Sequence, residues 1–238
     1  MKDPINGASA FIFDLEGVVL DTETIWDEAQ KILLSRRGHD YNREALKHQL
    51  TGLGAQQAIA AVIAHYRLPD DPSTLLLERW EIMAELLSQG VNYIPGALDF
   101  VRHAAAVVDI CAATSMDPSL LDIALSATDL RAGFPGPIFT SADVNGVAKP
   151  APDLFLYAAS KLGIEPADCV VIEDAPHGIA AARAAGIPCI ALCTTHKRYR
   201  LSGADMIFSD WSEVPRPSGL GRDKVESRTP KRTCTACK

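Results

Sequence analysis

FIFDLEGVVLDTE, residues 11–23, begins as an apolar run and ends in acids. Phe11, Ile12 and Phe13 lead into Asp14, Glu16, Asp21 and Glu23, with Gly17 able to bend the chain between them. Carboxylates gathered at the exit of a buried strand repel one another unless a cation or a ligand's counter-charge compensates. The stretch therefore reads as a buried β-strand that delivers acids to a ligand site.

Four further apolar runs lie downstream: VVDICAAT (107–114), CVVIED (169–174), PCIALC (188–193) and DMIF (205–208). They are nearly continuous and rich in β-branched residues, as strands covered on both faces of a parallel sheet should be. Between them PSLLDIALSATDL, APDLFLYAASKLG and HGIAAARAAG have helical spacing, and the last two end in glycine. Strand–helix alternation of this kind predicts a doubly wound, mostly parallel, Rossmann-like α/β sheet. The interval after the first strand breaks the pattern. TIWDEAQKILLSRRG, NREALKHQL, AQQAIAAVIAHYRL and STLLLERWEIMAELLSQG read as consecutive amphipathic helices with no strand among them. The expected organisation is an α/β core at 1–20 and 93–214, an all-helical cap at 21–92 and a tail at 215–238.

The tail is basic. Arg216, Arg222, Lys224, Arg228, Lys231, Arg232 and Lys238 face only Asp223 and Glu226, so +5 of charge sits on a chain whose formal net is −7. Rich also in Pro, Gly, Ser and Thr, it reads as disordered, and it has no aromatic residue to stack nucleic-acid bases. Apolar residues make up 47% and charged residues 22%, which places the chain among ordinary globular proteins. No window approaches the ~20 apolar residues of a membrane span, and residues 1–17 lack the long apolar run of a signal peptide. A cytoplasmic monomer without membrane or nucleic-acid partners is expected. Cys111, Cys169, Cys189 and Cys193 fall in apolar runs and read as small buried hydrophobes; Cys234 and Cys237 read as two thiols on a loose tail.

In open α/β sheets ligands bind outside the carboxyl ends of the strands. Asp14 and Glu16 come after the first strand, Thr114 and Ser115 after the second, and Glu173 and Asp174 after the run CVVI; Lys149 stands in the loop NGVAKPAPD before a helix. Singly, each has a plain explanation as a helix cap or a solvated loop residue. Together they compose a cation and phosphoryl site, in which acids bind Mg²⁺ while hydroxyls, backbone N–H groups and a lysine hold phosphate oxygens.

FDLEGVVLDTE, ICAATS, AKPAPDLF and VIEDAPHGIAAARAAG are similar to the four ordered motifs of the haloacid-dehalogenase superfamily, over roughly residues 10 to 210. The match extends to its branch with a helical cap after the first motif, which contains β-phosphoglucomutases and sugar-phosphate phosphatases. The resemblance implies a Mg²⁺-dependent phosphohydrolase acting on a small phosphorylated metabolite, plausibly a sugar phosphate. It implies that Asp14 is the nucleophile of an aspartyl-phosphate, and that Asp14, the backbone carbonyl of Glu16 and Asp174 hold the metal. Glu173 would support the metal directly or through its water shell. Thr114 and the N–H of Ser115 would clamp the phosphate, and Lys149 would pair with both nucleophile and phosphate.

One position departs from the family pattern. Where the superfamily carries aspartate as general acid/base, this chain has Glu16. The intrinsic acidity hardly differs, about 3.9 against 4.3, but the extra methylene moves the carboxyl by about 1.5 Å, and misplacement by 1 Å can cost ~10²-fold. A phosphosugar mutase and a catalytically weak phosphometabolite-binding protein are the alternatives to a phosphatase. Mutase relatives grip the substrate with basic cap residues, whereas LTGLGAQQAIA contains none and Arg79 reads as a solvated helix position. Lys31 and Lys47 are the cap lysines available for Schiff-base chemistry, in unremarkable contexts. His177 reads as a first-turn helix residue, and Trp26, Trp80 and Trp211 as packing residues.

Overall fold

The computed structural model describes residues 4–50 and 55–218, the side chains at 47 and 48 excepted. Six parallel strands form one sheet: β1 (Ala10–Phe13), β2 (Asp109–Thr114), β3 (Ile138–Thr140), β4 (Cys169–Glu173), β5 (Cys189–Leu192) and β6 (Met206–Phe208). Their order is β3-β2-β1-β4-β5-β6. The chain reverses its direction of winding between β1 and β4, so these adjacent strands flank the switch point where α/β sheets bind ligands. In register, Phe13 lies opposite both Ala112 and Ile172, so the three strands release their last residues at one level. β3 is a strand that the apolar runs do not announce. It has three residues, lies at the sheet edge beside β2, and is preceded by Pro137, too short a run for periodicity to register.

Both faces of the sheet are covered, as near-continuous apolar strands require. Phe11, Phe13 and Leu15 pack on one side with Phe100 and Trp211; Ala10 and Ile12 pack on the other with Leu154, Phe155 and Ile179. Trp211 is buried and donates its indole N–H to the Val18 carbonyl at 2.8 Å, the packing role expected of it. Cys111, Cys169 and Cys189 are buried free thiols and Cys193 is half-buried.

The four expected cap helices are present: α1 (Glu23–Ser35), α2 (Arg43–Leu50), α3 (Ala55–Tyr66) and α4 (Pro72–Ser88). Asp71 caps α4 by accepting the Thr74 N–H, and Pro72 occupies the first turn, where its missing N–H costs nothing. Arg37 ties α1 to α4 through Asp70 at 2.7 Å and Glu78 at 2.6 Å. No described helix is long and apolar enough to cross a membrane.

Pro217 is buried with its carbonyl 3.2 Å from the His103 ring, and the Ser218 hydroxyl donates to Asn6 at 2.8 Å. Pro217 and Ser218 thus contact the core, while Pro215, Arg216 and Ser218 remain exposed; residues 219–238, with Cys234 and Cys237, lie outside the described residues.

Candidate active site

Every residue singled out at a strand end lies at the carboxyl edge of the sheet. Asp14 directly succeeds β1, its N–H bonded to the Ile172 carbonyl of β4 at 2.9 Å. Thr114 closes β2, and Glu173 closes β4 with Asp174 next to it. Lys149 reaches in from the loop before α7 (Asp153–Leu162), where α5 (Ala97–Val107) and α6 (Pro118–Ala127) are the helices flanking β2.

Lys149 is the centre of the charge arrangement. Its side chain is 1% exposed; Nζ donates to Asp14 Oδ1 and, at 2.7 Å, to Glu173 Oε1. Burial alone would depress the ammonium's pKa, but the two carboxylates outweigh it and hold it above the ordinary lysine value. Glu173 is fully committed to the protein. Its Oε2 accepts the N–H groups of Asp174 at 3.0 Å and Ala175 at 3.1 Å, in the turn that opens α8 (Pro176–Ala184). Gly178 is needed there, because a Cβ at 178 would lie 1.7 Å from Glu173 Oε1. Gly17 is needed for a matching reason: its φ is +74°, and a Cβ would sit 2.3 Å from Asp174 Oδ2.

Three buried carboxylates, Asp14, Glu173 and Asp174, therefore face one lysine. Burial pushes Asp14 up to about 8, Lys149 opposing and Glu173 reinforcing. Burial, Glu173 and Asp14 likewise push Asp174 far above the usual carboxylate range. The excess negative charge and the hard oxygen donors fit a divalent cation such as Mg²⁺. Among the described residues no three His, Cys, Asp or Glu side chains converge as a complete ligand set.

This charge balance should make the metal-free protein sensitive to pH. A carboxyl group whose folded pKa is raised contributes stability below its unfolded pKa and loses it as pH rises through the folded value. For Asp14 that window runs from about 4 to about 8. In EDTA the melting temperature should fall between pH 5 and pH 8, and the rise produced by added Mg²⁺ should be larger at pH 8 than at pH 5. A Mg²⁺-induced shift that does not change with pH would contradict this charge balance.

Between cap and core lies a cleft of about 550 Å³ lined by residues of both, including Glu16, Trp26, Gln30, Arg79, Ser115 and Lys149. It is contiguous through Glu16, Trp26, Ser115 and His177 with a cavity of about 170 Å³ lined by Asp14, Glu173 and Asp174. Thr114 is fully buried beneath, its hydroxyl accepting the Met116 N–H at 3.0 Å. Ser115 Oγ and His177 Nδ1 are buried without a hydrogen-bond partner among the described residues, as are Gln30 Oε1 and Arg79 Nε on the cap side. Buried polar atoms are ordinarily satisfied; four orphans lining one cleft make it the candidate ligand site.

The structure revises several cap residues. Arg79 is not on a solvated face: it is 3% exposed, its guanidinium lies 5.4 Å from the centre of the Trp26 ring, and burial lowers its pKa to about 10. Trp26 is more than packing, for its indole N–H donates to Glu16 Oε1 at 3.1 Å. Trp80 also lines the cleft. Lys31 is exposed and paired with Glu28 at 3.1 Å, away from any Schiff-base role; the Lys47 side chain lies outside the described residues. His177 does sit in the first turn of α8, as its sequence context implies, but it faces the cleft.

Thr195 is a site residue that the sequence reading misses. Its hydroxyl donates to Asp174 Oδ2 and lies 2.8 Å from His196 Nδ1, while Thr194 donates to the Gly17 carbonyl at 2.6 Å. Both threonines come just after β5, so the strand-end rule that finds the acids applies to them equally.

A family model for haloacid dehalogenase-like hydrolases matches residues 8–186. The chain belongs to that family. This hydrolase is 34% identical over 190 residues to a probable pseudouridine-5'-phosphatase of Drosophila melanogaster, covering 74% of this chain and 78% of that one. It is 32% identical over 182 residues to the fructose-1-phosphate phosphatase YqaB of Escherichia coli K12, covering 76% and 95%. Among solved structures, a HAD family hydrolase of Deinococcus radiodurans R1 with bound phosphate and sodium superposes with a TM-score of 0.74 at 28% identity, covering 87% of this chain and 93% of that one.

Proposed function

We propose that the protein is a Mg²⁺-dependent phosphatase that hydrolyses a small phosphorylated metabolite, a sugar phosphate in the first instance, through an aspartyl-phosphate on Asp14. The observation that carries the reading is the buried Lys149 bridging Asp14 and Glu173 beside Asp174, at the mouth of a cleft lined by unpaired polar groups. Names of relatives acting on phosphate monoesters support it.

In this reading Asp14 Oδ attacks phosphorus while the bond to the leaving oxygen breaks, and Glu16 gives that oxygen its proton. Glu16, now a carboxylate, then takes a proton from a water whose oxygen attacks phosphorus. The bond to Asp14 breaks and inorganic phosphate leaves. Lys149 offsets the repulsion between the Asp14 carboxylate and the anionic phosphoryl group. Ser115, through its N–H and its unpaired hydroxyl, holds phosphate oxygens with the Thr114 hydroxyl below it. Asp14, Asp174 and the Glu16 carbonyl would hold Mg²⁺, which supplies charge neutralisation for the transferring phosphoryl group. With both oxygens engaged by the protein, Glu173 would act on the metal through its water shell while it anchors Lys149.

A second reading, a phosphosugar mutase, is favoured by one observation. Arg79 places a buried cation from the cap in the cleft with no acidic partner among the described residues, suited to a second anionic group on a substrate. A panel of sugar phosphates, with pseudouridine 5'-phosphate and p-nitrophenyl phosphate, separates the readings. Release of inorganic phosphate in Mg²⁺ and its loss in EDTA is the outcome expected. Isomerised phosphosugar without free phosphate would establish the mutase, and inert behaviour towards the whole panel would overturn both.

A further inference from the structure

Glu16 has a longer reach than aspartate and one more torsion to hold still. Its carboxyl makes one hydrogen bond among the described residues, from the Trp26 indole N–H to Oε1 at 3.1 Å, which leaves Oε2 without a protein donor. Glu16 lines both the large cleft and the smaller cavity that contains Asp14. The indole is itself constrained. Trp26 lies in the first turns of α1, its backbone N–H bonded to the buried Thr22 carbonyl at 2.9 Å, and the Arg79 guanidinium of α4 covers its ring at 5.4 Å. Arg79 is in turn buried and donates to the Ala55 carbonyl at 3.3 Å. An acid on the strand-exit loop is thus tied by one oxygen to a ring that belongs to the helical segment, and the ring is pinned from behind.

We infer that Trp26 is the positioning residue for Glu16: its indole N–H fixes one carboxylate oxygen so that the other meets the leaving oxygen despite the additional methylene. The inference rests on the reading of Glu16 as general acid/base. It explains how a chain with glutamate at this position retains a working geometry, since a side chain held by a directed hydrogen bond keeps its reactive atom within the sub-ångström tolerance that proton transfer needs. It also makes the acid's placement depend on the cap. The hydrogen bond spans two segments that meet at the cleft, so Glu16 is aligned only when α1 and α4 stand where they do here.

Trp26→Phe removes the N–H and keeps a ring beneath Arg79. Measured with fructose 1-phosphate, kcat should fall by about ten- to a hundredfold with KM changed by less than about twofold, as expected for an interaction felt in the transition state. With p-nitrophenyl phosphate, whose leaving group needs little protonation, the pre-steady-state burst should change much less. The decisive measurement is a double-mutant cycle with Glu16→Gln. If Trp26 acts through Glu16, adding Trp26→Phe to Glu16→Gln should cost less than about twofold. An equal loss in both backgrounds overturns the inference, as does a rise in KM at constant kcat, which would make the indole a substrate platform. Trp26→Tyr, with thermal melts of every variant, serves the same cycle if Trp26→Phe does not fold. Failure of the underlying reading is distinguishable: Glu16→Gln matching wild type on both substrates removes the general acid/base itself, whatever Trp26 does.

Discussion

If Asp14 is the proposed nucleophile, Asp14→Asn should lower kcat by at least about three orders of magnitude on every phosphomonoester tested, because an amide neither attacks phosphorus nor carries the charge that Lys149 offsets. The fold should survive, since the amide keeps the carboxamide oxygen in the place of Oδ1, facing Lys149. Removing one carboxylate from a cluster of three should even raise the melting temperature of the metal-free protein at pH 8, where Asp14, pushed up to about 8 by burial, is ionised in part. Loss of turnover with an intact or raised melting temperature is the joint outcome expected. Activity above a tenth of wild type on purified protein would rule out the covalent route through Asp14.

Lys149→Met should have the next largest effect, and it acts on two properties at once. The variant leaves Asp14 and Glu173 buried with no cation between them, and truncating one partner of such a pair costs about 3–5 kcal/mol. The loss should be greatest near pH 8 and shrink towards pH 5, as Asp14, pushed up to about 8 by burial, takes up a proton in place of the missing ammonium. Turnover should drop by at least about a hundredfold even with saturating Mg²⁺, because the metal cannot reproduce two directed N–H donors at Asp14 and Glu173. Denaturant melts at two pH values and steady-state kinetics test the two halves separately. Stability that is lost equally at both pH values would show that Lys149 packs more than it pairs.

Both predictions concern residues that are legible in the linear chain, and the reason is local. A strand buried on both faces is a continuous apolar run, and the residues just beyond it must emerge at the sheet edge. Asp14, Thr114, Glu173 and Asp174 are therefore placed by their immediate neighbours. The helical cap is legible for the same reason, its amphipathic spacing being a property of each segment. β3 is not, because three residues beside Pro137 carry too little pattern and form a strand only through their pairing with Ala112 to Thr114.

The sequence by itself determined five of the six strands, the inserted helices and the acids that end the strands, since each depends on spacing within a dozen residues. Only the tertiary structure decided what those acids touch. Lys149 stands 135 residues from Asp14, yet the two are ion-paired. Thr195 joins Asp174 from the end of a different strand. Arg79, which reads as an outward helix position, is turned inward over Trp26, and that ring reaches back to Glu16. Burial of a single charged side chain depends on the packing of distant helices, and helical periodicity does not encode which neighbour that packing supplies.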